Sequence, residues 1–429
     1  MEGLMHYIWE HRLWPAGELR TTDGVPVSVI DPGRHNGDSG PDFFNAKVRI
    51  GGKMWVGNVE IHVRASDWHR HGHDKDPAYD SVVLHVVDRD DAQICRQSGE
   101  PRPQLRMPCN PGFGKEYERL TCRADIDLPC AAEIAGTDRV VIADWLTALA
   151  FERLYDKTDR IRALLDRFAG NWEQAAYVTI ARALGFGTNA QAFEMLALAT
   201  PLQAVGKHSD NDTAIEAILF GQSGLLEAAA GDPYVDTLKR EYSFLKAKFG
   251  LRQIDPAVWK MSRMRPANFP HRRIATLASM LAGGFRMFRR VSACDSVDQA
   301  RALFRPRLGA YWQEHYTFGK PAARQGSEMS RSSVDLLVIN AVVPLLHAYG
   351  TAHGNDTLCE SAIAMMGSIP AESNSIVTAF GRAGIRASDA MISQALIQLR
   401  RAYCEQRKCL FCRIGHRALR KVSTRPTSG

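Results

Sequence analysis

Two consecutive glycines, Gly51 and Gly52, separate the β-rich runs "FFNAKVRI" and "KMWVGNVEIHV". A glycine pair flanked in this way predicts a hairpin, because the tightest strand connections need φ > 0 at both central residues and glycine reaches that region without strain. The two arms count out roughly evenly about the turn. That places Asp42, at the start of the first arm, near Glu60 and His62 toward the end of the second. Side chains alternate along a strand, so Glu60 and His62 share a face and lie about 7 Å apart. A carboxylate and an imidazole on one face of an otherwise Val- and Ile-rich strand call for a chemical reason.

Around this hairpin the pattern is mixed. The spacing of Leu4, Tyr7, Ile8 and Leu13, with Trp9 and Trp14 nearby, predicts a helix over 4–14. "VPVSVIDPG" predicts a strand closed by a turn. "ASDWHRHGHDKDPAYD" is polar, with Ser66 or Asp67 as a helix cap. "SVVLHVVD" predicts a buried strand, and "QICRQSG" with "RPQLRM" a further hairpin about Gly99-Glu100. Residues 1–107 thus form a small α/β domain. Residues 108–137, rich in Pro, Gly and Cys, are expected to be a connector. From Asp138 to about residue 403 the periodicity is helical, and 404–429 is a Cys-containing basic tail. The expected fold class is α+β: an N-terminal α/β core with a central β-hairpin, then a large all-α domain and the tail. No repeat of fixed period points to a solenoid.

A chain of 429 residues exceeds one ordinary core. No run of eighteen or more apolar residues occurs, so no membrane span is expected. The opening "MEGLMHYIWEHRLW" is acidic and aromatic where a secretory leader is basic and then apolar, which points to a cytoplasmic protein. Of the net charge of +7, nine Lys or Arg against one Glu from Arg400 onward contribute +8, leaving the remainder near −1. A basic C-terminus suits phosphate contacts, so nucleic acid is the expected partner. Nothing in the sequence sets the oligomeric state.

Asp42 and Glu60 together offer oxygen ligands to a hard cation such as Mg²⁺ or Mn²⁺, which activates water and stabilises developing phosphoryl charge. Pro41-Asp42, then seventeen residues, then Glu60-Ile61-His62, set in the order helix, strand, hairpin, helix, strand, resembles the core of the PD-(D/E)xK nuclease superfamily. The resemblance covers residues 4–88. It implies that Asp42 and Glu60 bind the metal with help from the Ile61 carbonyl, and that His62 stands where the superfamily has lysine. His85, on the strand expected beside Glu60, would support the centre from behind. "GPDFFNAKV", "GNVEIHVRASDW", "HGHDKDPAYDSVVLHVV", "EAILFGQSGLL", "RPANFPHRRIATLA" and "CLFCRIG" also resemble an uncharacterised bacterial domain-of-unknown-function family over nearly the whole chain. That likeness implies a bacterial cytoplasmic protein and carries no activity.

Three further groups bear chemistry. His69, His71 and His73, near Asp67, Asp74 and Asp76, could hold Zn²⁺. Their order, His-x-His-x-His-Asp, is similar to the His-x-His-x-Asp-His motif of metallo-β-lactamase-type hydrolases but departs from it. Cys404, Cys409, Cys412 and His416 suit a structural Zn²⁺. Some PD-(D/E)xK nucleases carry an iron–sulfur cluster on three C-terminal cysteines and a distant fourth. By that likeness Cys109, Cys122 or Cys130 would complete such a cluster, the less favoured alternative. Arg263, Arg265, Arg272 and Arg273, in "RMRPANFPHRR", could present guanidinium groups to phosphates. The leading expectation is a metal-dependent nuclease. The alternatives are a non-enzymatic scaffold with a structural metal in the tail, and a zinc hydrolase centred on His69, His71 and His73.

Overall fold

The computed structural model describes residues 2–14, 17–37, 39–96, 98–108, 111–122, 128–227, 231–262, 264–323 and 328–423. The protein is mixed α/β and folds as two compact units. Unit 1 comprises Met1–Trp145, Thr378–Arg386 and Leu399–Gly429; unit 2 comprises Leu146–Val377 and Ala387–Gln398.

Unit 1 opens with helix α1 (Glu2–Glu10) and is built on a seven-stranded sheet. The strands are β1 (Leu19–Arg20), β2 (Pro26–Asp31), β3 (Arg34–His35), β4 (Phe43–Ile50), β5 (Lys53–Arg64), β6 (Val82–Arg89) and β7 (Gln104–Arg106). Their order is β1-β2-β4-β5-β6-β7, with β3 also paired to β4. The β2, β4 and β5 pairings are antiparallel, while β6 lies parallel to β5 and β7 parallel to β6. Gly51 (φ +56°) and Gly52 (φ +85°) make the hairpin turn between Ile50 and its partner Lys53. The connection from β5 to β6 carries a one-turn helix, α2 (Asp67–Arg70), and a 3₁₀ turn at Pro77–Tyr79. Ser66 precedes α2, but its hydroxyl bonds Asp91 and not the helix.

The arms of the hairpin are not even. Ala46, Val48 and Ile50 face the core of unit 1, and so does Phe43, which breaks the alternation of a regular strand. The cause is a β-bulge. Pairing runs Ala46↔Gly57 and then Phe43↔Val59, with Asn45 at φ +56°. Asparagine tolerates that region better than other side chains that carry a Cβ. The shift sets Asp42 level with Glu60; an even count would have set it against Ile61, whose side chain faces the core.

One face of the sheet is covered by α1, with Leu4, Tyr7, Ile8 and Trp9 buried, and by helices from later in the chain. The 108–137 segment, expected as a connector, contains α3 (Pro111–Cys122) and α4 (Ala131–Ala135), and Phe113 and Leu120 of α3 join this core. So do Leu410, Ala418 and Leu419 from the expected tail, where a 3₁₀ turn (Cys409–Phe411) leads into helix Arg413–Ser423. Its basic residues lie along one side of that amphipathic helix, and its apolar side is packed. The hairpin expected about Gly99-Glu100 reduces to a single bridge, Cys95↔Pro101. "RPQLRM" instead supplies β7, because Gln104 and Leu105 bury at the sheet edge and pair with β6.

Unit 2 is helical around one apolar core. Its longer helices include the greater part of α5 (Arg139–Arg167), then Trp172–Leu184, Asp212–Gln222, Pro233–Phe249 and Pro270–Leu281. Among the described residues one helical stretch, Arg331–Ala352, is long and apolar enough to cross a bilayer. Of its most apolar window 78% is buried within the protein, as in the core helix of a globular unit.

Candidate metal centre

The second face of the sheet is covered by the β5–β6 connection, which brings Trp68 and Tyr79 down as a small apolar cluster with Val82 and Ile94. Under this cover lie Glu60 and His62, 4% and 1% exposed. The carboxylates of Asp42 and Glu60 clamp the two strands reciprocally. The Asp42 N–H donates to Glu60 Oε2 (3.1 Å) and the Ile61 N–H to Asp42 Oδ2 (2.8 Å). His6 of α1 approaches Asp42 Oδ2 at 3.3 Å. The other Glu60 oxygen, Oε1, faces His62 Nε2 (3.4 Å) and His73 Nε2 (3.2 Å). His71 Nδ1 lies 3.2 Å from His62 Nε2.

The structure thus joins two groups that the sequence left apart. His71 and His73 fold over the hairpin to meet His62, and the ligand nitrogens of these three all lie within 4.8 Å of one another. They could hold a metal ion. It is the one set of three ligand residues so gathered among the described residues. His69 is not part of it. It sits on the outer side of α2, 54% exposed at the side chain, and pairs with Asp74 at 3.8 Å. A straight strand would have aligned His69, His71 and His73, but α2 and the turn after it break that alternation.

A hydrogen-bonded chain behind His62 fixes its tautomer. Gln104 Nε2 donates to Asp90 Oδ1 (2.5 Å) and to the Ala92 carbonyl (3.2 Å), which turns Oε1 toward His85. His85 Nδ1 must then carry the proton it gives to Gln104 (3.0 Å), leaving Nε2 as an acceptor. His62 Nδ1 donates to that nitrogen (2.9 Å), so the Nε2 lone pair of His62 points at Glu60 and His71. Lone pairs and a carboxylate oxygen facing one another are stable only with a proton or a metal cation between them.

The electrostatics agree. Burial, with the Asp42 charge adding to it, raises Glu60 far above the usual carboxyl range. Burial and the surrounding imidazoles hold His62 strongly neutral, and burial lowers His85 to about 4. His73 is also lowered, mainly by burial, and its ring stacks on Tyr79 with centroids 3.7 Å apart. A neutral imidazole is the form that binds metal.

Other expected sites come out differently. Arg272 and Arg273 are 7% and 5% exposed and cannot meet a phosphate. Arg272 donates to the Trp312 carbonyl, while Arg273 lies over the Phe186 ring and bonds Asn268. Both fall in the first turns of a helix packed into the core of unit 2, where the guanidinium groups satisfy backbone and amide acceptors. Arg265 is exposed; Arg263 lies outside the described residues. His416 is not beside the cysteines, since its Nδ1 meets the Tyr7 hydroxyl at 2.5 Å and its ring packs on His11. Cys109 lies outside the described residues, as does the Cys122 side chain.

Sequence reasoning did not single out His6, Gln104 or Asp90. Gln104 carried one usable signal, an amide in a run expected to be a strand beside "VVLHVV".

A family model described as "Protein of unknown function (DUF2851)" matches residues 2–375. The chain belongs to this family. The DUF2851 match takes in every residue of the histidine–carboxylate centre and ends before Cys404. No curated protein and no solved structure matches the chain.

Proposed function

We propose that this DUF2851 protein is a metal-dependent hydrolase acting on phosphodiesters, with nucleic acid as the substrate class. The observation that carries the reading is the buried Glu60 carboxylate held against His62 and His73, with His71 completing three imidazoles around one point. Imidazole donors move the preferred ion from Mg²⁺ toward Zn²⁺ or Mn²⁺. Such an ion would supply Lewis acidity and a lowered pKa for bound water. His62, His71 and His73 would hold it. Burial holds Glu60 protonated at neutral pH, and a cation bound beside it would draw that proton off and leave a general base. Asp42 orients β5 through the Ile61 amide and stands ready as a further oxygen ligand. The phosphodiester assignment draws its support from the strand order, three antiparallel strands followed by a parallel one, and from Asp42 and Glu60 side by side at its two central strands.

The test is hydrolysis of single- and double-stranded DNA and RNA by the full chain with Zn²⁺ or Mn²⁺. Glu60→Gln keeps the shape and removes the base. It should lower the rate by about 10²–10⁴-fold while the unfolding midpoint stays within a degree or two. Metal bound at the histidines without cleavage of any of these substrates would replace the enzyme by a scaffold with a structural ion.

A further inference from the structure

Unit 1 contains a second gathering of ligand atoms, distinct from the histidines. Cys130 precedes α4, Cys404 ends the π-type turn Leu399–Cys404, Cys409 opens the 3₁₀ turn, and Cys412 directly precedes helix Arg413–Ser423. That helix packs on both α4 and the 3₁₀ turn, and Cys130 and Cys409 rest against the same apolar core. All four carry free thiols, and their sulfurs lie close enough to act on one another electrostatically.

Cys412 is surrounded by donors. The N–H groups of Ile414 and Gly415 point at its sulfur, and the Trp145 indole N–H lies beside it. Trp145 is 7% exposed, and its Nε1 has no partner of full hydrogen-bond geometry. Donors gathered about one buried sulfur are the surroundings a metal-bound thiolate would need. Gly415 makes the loop possible, because a Cβ there would stand 2.1 Å from the Cys409 carbonyl oxygen. The segment Cys409–Gly415 is therefore wound as tightly as a glycine allows, with both cysteines turned into unit 1.

We propose that Cys130, Cys404, Cys409 and Cys412 form a four-thiolate site for a thiophilic metal centre, either zinc or an iron–sulfur cluster. The site ties the start of the helical region to the end of the chain, and it takes no part in the histidine centre. A single zinc, with Zn–S of about 2.3 Å, would draw the side chains inward; an iron–sulfur cluster would span a wider mouth.

The experiment is zinc, iron and acid-labile sulfide analysis of the full chain purified without oxygen. At least one equivalent of zinc, or iron with matching sulfide, is expected. In a His71→Ala background, which empties the histidine centre, Cys130→Ser and Cys412→Ser should each lower the remaining metal at least tenfold, whereas His416→Ala leaves it in place. Since a serine at a buried cysteine can unfold unit 1, the unmutated chain is also stripped with chelator and titrated with Co²⁺, which gives a thiolate charge-transfer band when bound by sulfur. Metal content insensitive to both serine variants, or the absence of zinc, iron and the Co²⁺ band together, overturns the proposal. Metal lost between the unmutated chain and His71→Ala belongs to the histidine centre, and loss of all of it in that variant overturns the proposal.

Discussion

His62 binds nothing by itself; what it can bind is decided by Gln104, two residues behind it. Because Gln104 holds Asp90 and Ala92 through its amide nitrogen, its oxygen dictates the proton on His85, and His85 dictates the proton on His62. Gln104→Leu removes that instruction with little change of volume. Zinc affinity measured by calorimetry should fall about 10–100-fold, and an unchanged affinity would show that the tautomer is set elsewhere. A second residue-scale expectation concerns His271 in unit 2. Its ring lies against Phe318 (centroids 5.0 Å apart), Nδ1 has no partner, and burial lowers it to about 4 from an ordinary 6.5. The unfolded chain therefore takes up the proton more readily than the folded one between those values. The contribution to stability is complete above about pH 6.5 and is lost as pH falls through about 4, by roughly 3 kcal/mol at most. His271→Leu should flatten the dependence of the urea midpoint over that window. An equally steep dependence in the variant would assign the effect to other groups.

At the scale of elements, the bulge at Asn45 decides whether a site exists. The sequence showed a hairpin from Gly51-Gly52 and correctly brought Asp42 beside Glu60, although an even count puts Asp42 one residue off. Nothing in "DFFNAKV" announces a bulge except the asparagine, which is equally at home in many other settings. His71 and His73 were visible as ligands, but their meeting with His62 depends on the α2 turn, a tertiary detail that no periodicity encodes. Helix and strand types follow from local pattern and were legible; the folding of a polar loop over a sheet was not. Asn45→Val puts a β-branched residue where φ is +56°, which disfavours the bulge and favours the even register that sets Asp42 against Ile61. Metal binding and hydrolysis should both be lost while far-ultraviolet circular dichroism keeps its shape. Retained metal affinity in Asn45→Val would mean that Asp42 is dispensable to the centre.

For the whole molecule, the decisive fact is that unit 1 is discontinuous. Its core takes Leu410, Ala418 and Leu419 from the last helical stretch described, all 8% exposed or less. Leu419→Ala removes a fully buried side chain from that seam. It should cost about 2–5 kcal/mol, read as an early melting transition of the sheet unit with the helical unit's transition unmoved. A single transition shifted as a whole would instead mean that the two units unfold together. The tail that composition marks as a solvated, phosphate-seeking segment is thus first a structural closing piece.

That seam also sets a timetable for synthesis. The strands of unit 1 leave the ribosome early, but the residues that cover them follow on the order of 250 positions after Trp145. At about 5–20 residues per second, this leaves the apolar face of a nascent sheet covered only in part, by α1 and α3, for roughly 10–50 seconds. A cell making this protein must therefore shield an unfinished surface while the helical unit is still being translated.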